Sequence, residues 1–154
     1  MKTRTLNKHE IKEINNKLFE YYGVRPLSKK DRVVEIEGEM VFIKVNDEVC
    51  FFYHEDKIVP TLKRLLHENF LKKITVDMGA VKFVVSGADI MRPGVVNIED
   101  NIKKGGLIVI IDENNKKPLA VGSALFDSMT MQDMEAGKCI KNIHYIGDRI
   151  WNLI

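Results

Sequence analysis

The sequence predicts an α+β chain in two parts, a small N-terminal α+β domain followed by a small closed or nearly closed β-barrel. Three observations carry this. An amphipathic helix opens the chain, strand-like runs separated by polar turns follow it, and the second half alternates short apolar runs with glycines around a single helix. The 154 residues are 45% hydrophobic and 30% charged, an ordinary globular composition. That length fits one domain or two small ones. A weak hinge at Leu71-Lys72-Lys73 sets the expected domains at 1–71 and 72–154.

In the first part, Asn7 with Glu10 forms a capping box. Ile11, Ile14, Leu18, Phe19 and Tyr22 then recur at helical spacing until Gly23 and Pro26 stop the helix. Lys8, Lys12 and Lys17 lie on its other faces and are expected to be a solvated surface before a phosphate-binding one. Three strands are expected next, around Val33–Ile36, Met40–Val45 and Val49–Tyr53, with turns at Gly38 and at Asn46-Asp47-Glu48. Pro60 is expected to begin a second helix, Thr61–Phe70, burying Leu62, Leu65 and Leu66.

The second part is organised around VDMGAVKFVVSGADIMRPG, residues 76–94. Asp77 caps a short helix and Gly87 can end it in the left-handed conformation. The loop that follows holds Arg92, Pro93 and Gly94. Such a helix and loop can cradle a phosphate or nucleotide, or can simply solve backbone geometry. Further strands are expected at Ile74–Val76, Val95-Val96, Leu107–Ile111, Pro118–Phe126 and from Ile140 onward. DENNKK is a hairpin turn between two of them, Gly122 marks a bulge or barrel corner, and Thr130–Glu135 a helical turn.

The chemistry that composition supports is limited. The net charge of +2 does not announce a polyanion binder, so a basic surface would have to be local. Cys50 and Cys139 fit buried thiols in a reducing compartment rather than a disulfide or zinc framework. The four histidines lie outside zinc-ligand spacings, and His54-Glu55-Asp56 reads as a solvated turn. Walker, dinucleotide and nucleophile-elbow patterns are missing from the sequence. The expectation is a non-catalytic protein without cofactor or metal, located in the cytoplasm and away from membranes.

The run at 76–94, the later PLAVGSA and the ending IKNIHYIGDRIW together resemble the PUA domain, an RNA-binding module. Over the whole chain, the sequence is similar to archaeal members of the malignant T-cell amplified sequence family, partners of density-regulated protein, which carry a pre-PUA domain. The Lys-, Ile- and Asn-rich composition fits an archaeal source. The resemblance implies a PUA pseudobarrel after residue 72 that binds structured RNA, either tRNA or rRNA. It further implies a role with the small ribosomal subunit and a protein partner in translation initiation or ribosome recycling. Carried onto matching positions, the RNA-binding residues are Gly79, Ala80, Lys82, Gly87, Ala88, Arg92, Pro93 and Gly94. Small residues there would let backbone amides approach the RNA, and an exposed Arg92 would grip phosphate. Close packing inside the barrel is the competing account of Gly79, Ala80 and Ala88. Met91 is expected to fill the core, and Tyr145 and Trp151 either to do so or to stack on a base. Two other roles stay open: an accessory RNA-specificity subunit of a tRNA- or rRNA-modifying enzyme, and a protein–protein adaptor.

Overall fold

The chain forms two compact units, Met1–Phe70 together with Leu153, and Leu71–Asn152, in a computed structural model that describes residues 1–153. Ile154, the last residue of the expected second domain, lies outside the described residues.

The first unit is a five-stranded antiparallel sheet carrying a helix. Its strands are β1 (Lys2–Thr5), β2 (Val33–Glu37), β3 (Val41–Val45), β4 (Glu48–His54) and β5 (Lys57–Pro60), paired in sequence order. Two of the connections are two-residue turns, Asn46-Asp47 and Glu55-Asp56, with all four φ angles between 48° and 70°. This is the positive-φ pair that a type I′ hairpin requires, and Asn and Asp tolerate it. Helix α1 (Lys8–Tyr22) starts on the expected capping box and ends at Gly23, whose φ is 72°. Ile11, Ile14 and Leu18 pack into a cluster with Val33, Ile43, Phe51 and Ile58 of the sheet. Phe19 does not join them and stands half exposed.

Three expectations for this unit need correcting. The sheet has five strands, not three: Lys2–Thr5 is an all-exposed edge strand with no apolar alternation to reveal it. Pro60 closes β5 instead of starting a helix, a position it can take because β5 is the other edge of the sheet. Helix α2 then runs only from Leu62 to His67, capped by the Thr61 hydroxyl, and Leu66 faces outward.

The second unit is a mixed six-stranded sheet. Its strands are β6 (Lys72–Val76), β7 (Ile90-Met91), β8 (Val95–Ile98), β9 (Leu107–Asp112), β10 (Pro118–Ala124) and β11 (Lys138–Tyr145). Their order is β7-β11-β10-β9-β6-β8, with β6 and β9 parallel. The two edge strands, β7 and β8, are joined in sequence by one 3-10 turn, Arg92–Gly94, so the sheet curls into a nearly closed barrel. Helices α3 (Met78–Val84) and α4 (Ser128–Asp133) complete it. Ile74, Val76, Ile108, Ile110, Ala120, Met131 and Ile140 fill the interior.

Glycine is required at the expected corner. A Cβ on Gly122 would lie 2.5 Å from the Ile140 side chain and 2.8 Å from the Lys141 carbonyl, at the point where the β10–β11 register shifts. Beyond β11 the chain is tied by Asp148. Its carboxylate accepts from Tyr145 N and Trp151 N and pairs with the buried His144 at 2.9 Å. Burial pushes the Asp148 carboxyl upward, but His144 and the Trp151 amide outweigh it and hold the group below its usual range. The two cysteines are buried and free, and burial pushes the Cys50 thiol up to about 11.

Candidate nucleic-acid interface

Helix α3 and the loop after it enclose a cleft of about 450 Å³ in the second unit. Asp77 accepts from Ala80 N at 2.8 Å and so fixes the first turn of the helix. At the other end, Ala88 N donates to Phe83 O and Gly87 N to Val84 O, both at 3.0 Å, a Schellman closure around a left-handed Gly87. Gly87 is fixed twice over, since a Cβ there would lie 2.8 Å from the Tyr145 ring. Asp77 N donates to Gly94 O, and a Cβ on Gly94 would come within 3.2 Å of the Ala80 methyl. Small residues therefore hold the helix and the loop close enough to share one floor.

The outer wall is the 88–94 segment, braced from several sides. Asn142 of β11 donates through Nδ2 to Val84 O and Ala88 O, each at 3.0 Å, and through its amide to Asp89 at 2.8 Å. Asp89 also pairs with Lys138 at 3.1 Å. Desolvation works against the Asp89 carboxylate, but the Asn142 amide and Lys138 outweigh it and hold it below the usual carboxylate range.

Of the expected site residues, Gly79, Ala80, Ala88, Pro93 and Gly94 line this cleft. Gly79 and Ala88 are open to solvent, whereas Ala80 packs partly on the core. Lys82, Gly87 and Arg92 are not among the lining residues. Lys82 lies on the exposed side of α3, its Nζ 5.1 Å from the centre of the Phe83 ring. Arg92 departs from expectation. It is partly buried, its Nε donates to Met131 O at 2.7 Å and its Nη1 to Val95 O at 2.9 Å. The guanidinium clamps α4 and β8 onto the turn that closes the barrel, which accounts for an arginine at this loop position.

Met91 is a second correction. It is 49% exposed and lines the cleft, while its neighbour Ile90 takes the core position. Tyr145 packs against the core beside Gly87, and Trp151 is half buried. The amides of Ala80, Gly87, Ala88 and Arg92 all have protein acceptors already, so the expected backbone grip on phosphate is not what these groups offer. The cleft instead presents apolar surface. Phe83, 57% exposed, and Met91 stand in its walls; the sequence reading passes over Phe83 and places Met91 in the core. Phe83 follows Gly79 by four residues, so the two share a helix face, a spacing visible in the sequence.

Two families match the chain: the PUA domain over residues 72–146 and a domain of unknown function, DUF1947, over residues 4–68. An uncharacterized protein of Methanocaldococcus jannaschii is 41% identical over 96% of this chain and 93% of its own length. Translation machinery-associated protein 20 of Schizosaccharomyces pombe is 34% identical over 83% of this chain and 75% of its own. Among solved structures, a PUA domain from Aeropyrum pernix K1, in a tartrate complex, superposes with a TM-score of 0.88 at 29% identity, covering 99% of this chain and 90% of that one. The chain thus belongs to the family of two-part PUA proteins that includes translation machinery-associated protein 20 and malignant T-cell-amplified sequence 1.

Proposed function

We propose that this protein is a non-catalytic binder of structured RNA, tRNA or rRNA, that seats an unstacked nucleotide in the cleft between α3 and the 88–94 loop. The observation that carries the reading is the cleft itself, an apolar slot floored by small residues and walled by an exposed phenylalanine. Exposed aromatics stack bases with little regard to sequence, and unpaired nucleotides at loops and ends of structured RNA are the ones free to enter. Lys82 on the same helix adds a positive charge at the cleft's edge. The name of the fungal relative supports a place in translation. Initiation or ribosome recycling on the small subunit, with a protein partner in the cytoplasm, is the setting we infer.

The test is binding of bulk tRNA against single-stranded DNA of similar length at physiological salt. Phe83 is exposed, so Phe83→Ala should leave the fold intact and remove about 1–3 kcal/mol of stacking. Gly79→Glu should block the slot. A Cβ there meets only the Asp77 carboxylate at 3.4 Å, and an acidic residue suits the first turn of a helix. Equal binding of the two nucleic acids, or unchanged tRNA affinity in both variants, would overturn the reading.

A further inference from the structure

The first unit has a cleft of its own, of about 580 Å³, between the N-terminal half of α1 and the 25–29 segment. Four cations, Lys8, Lys12, Arg25 and Lys29, stand over an apolar floor of Ile11 and Leu27. We propose that this cleft is a second RNA contact, holding the phosphodiester backbone of structured RNA and stacking a base on Arg25.

Three observations carry the inference. The first is unspent charge. Among the described residues, Lys8, Lys12 and Lys29 have no carboxylate within ion-pair distance, while the acids nearby in sequence are taken up elsewhere. Glu10 is held by Arg4, Glu13 by His9 at 2.8 Å, and Asp31 by the Ser28 amide and Asn46. The second is a wall already in place. Asn15 bonds Leu27 in both directions, donating to its carbonyl at 2.8 Å and accepting from its amide at 3.0 Å. The segment bearing Arg25 and Lys29 is thereby clipped to the helix bearing Lys8 and Lys12. The third is a fixed arginine plane. The Arg25 guanidinium lies 4.5 Å above the half-exposed Phe19 ring and donates to Asn16 at 2.6 Å, and Arg25 is itself exposed to solvent. Lysines beside a presented guanidinium plane match a nucleic acid, whereas an acidic peptide would use only the charge.

This site rests on the RNA-binding reading above and lies in the other unit, so separate variants distinguish the two. Titrating fluorescent tRNA across a range of salt concentrations tests it. The triple variant Lys8→Ala, Lys12→Ala, Lys29→Ala should weaken binding about tenfold and lower the slope of log K against log salt by about two. Arg25→Lys, which keeps the charge and loses the plane, should weaken binding several-fold with the slope unchanged. Circular dichroism checks that each variant is folded. If the triple variant binds tRNA as the parent does while Phe83→Ala does not, the second contact fails and the first stands. If parent and variants alike ignore tRNA, both fail. If the triple variant keeps its tRNA affinity but loses affinity for a polyglutamate peptide, the cleft takes an acidic protein and the proposal is wrong.

Discussion

The two clefts are assembled from the same parts, a helix and the segment that follows it, and they differ in where the charge goes. In the second unit nearly every charge beside the cleft is turned inward: Asp77 caps α3, Asp89 and Lys138 brace the loop, and Arg92 clamps the barrel closure. What is left facing outward, apart from Lys82 at the edge, is carbon. In the first unit the order is reversed, with acids held by neighbours and three lysines left over an apolar floor. One loop is held by an arginine, an ion pair and an asparagine, the other by Asn15 and by the exposed bond from Arg25 to Asn16. The contrast separates the two proposed ways of holding RNA. A carbon-lined slot discriminates by shape and is largely indifferent to salt, whereas an open row of lysines is the reverse.

Arg92→Ala tests this most severely. Two charge-assisted bonds to backbone carbonyls would be lost, at a cost of about 3 kcal/mol in chemical unfolding. RNA affinity should fall with the loop's order, but the salt slope should hold. A stable variant whose slope drops by about one would make Arg92 a phosphate contact and remove the contrast.

Asn142→Ala should cost about 2 kcal/mol, since the Val84 and Ala88 carbonyls lose a shared donor. Its effect should appear in the slot, as weaker tRNA binding at every salt concentration. Asn15→Ala, the matching change in the first unit, should cost only about 1 kcal/mol, because the residue contributes two neutral bonds near the surface. Its binding defect should shrink as salt rises. Reversal of that order would mean that the Asn15 clip is the stronger of the two.

The same contrast explains what could be read from the residues. Caps and turns were legible because each is a local rule: Asn7 with Glu10, Asp77 and Gly87 act within a few positions or on a single φ. Gly122 was legible as a glycine inside an apolar strand, although its cause, the approach of Ile140 and Lys141, is distant in sequence. The cleft lining was half legible, because the small residues cluster in one stretch of sequence. Arg92 was misread for a physical reason. An arginine in a tight loop looks exposed until the chain returns 39 residues later with the Met131 carbonyl that occupies it. Met91 and Ile90 show the same limit, since a two-residue strand has no periodicity to say which side chain turns inward. The spacing of the α1 lysines fits a solvated face as well as a phosphate-binding one. Their grouping depends on Asn15 bringing Lys29 to them from across the helix end.

The smallest effect is the dependence on acid, and its sign follows from Asp89. Its carboxyl sits below the usual carboxylate range in the folded chain, so the ionised form stabilises the fold. That contribution is fully present above the unfolded value of about 3.9 and is lost as pH falls through the lower folded value. In the first unit, the depressed carboxyls, Glu10 and Asp31, serve a helix cap and a surface turn, so acid there should leave the cleft wall clipped by Asn15. Asp89→Asn keeps an acceptor for the Asn142 amide but loses the Lys138 pair. It should therefore be less stable than the parent by about 1 kcal/mol at neutral pH. The gap should narrow as pH falls below the unfolded value of about 3.9 and close once the parent's own carboxyl is protonated in the folded chain. Unfolding curves for the two proteins, taken stepwise from neutral pH into acid, measure this directly. A gap that stays constant through that whole descent would show that the side chain braces the loop by shape alone, and that the inward-turned charge of the second unit adds nothing at this position.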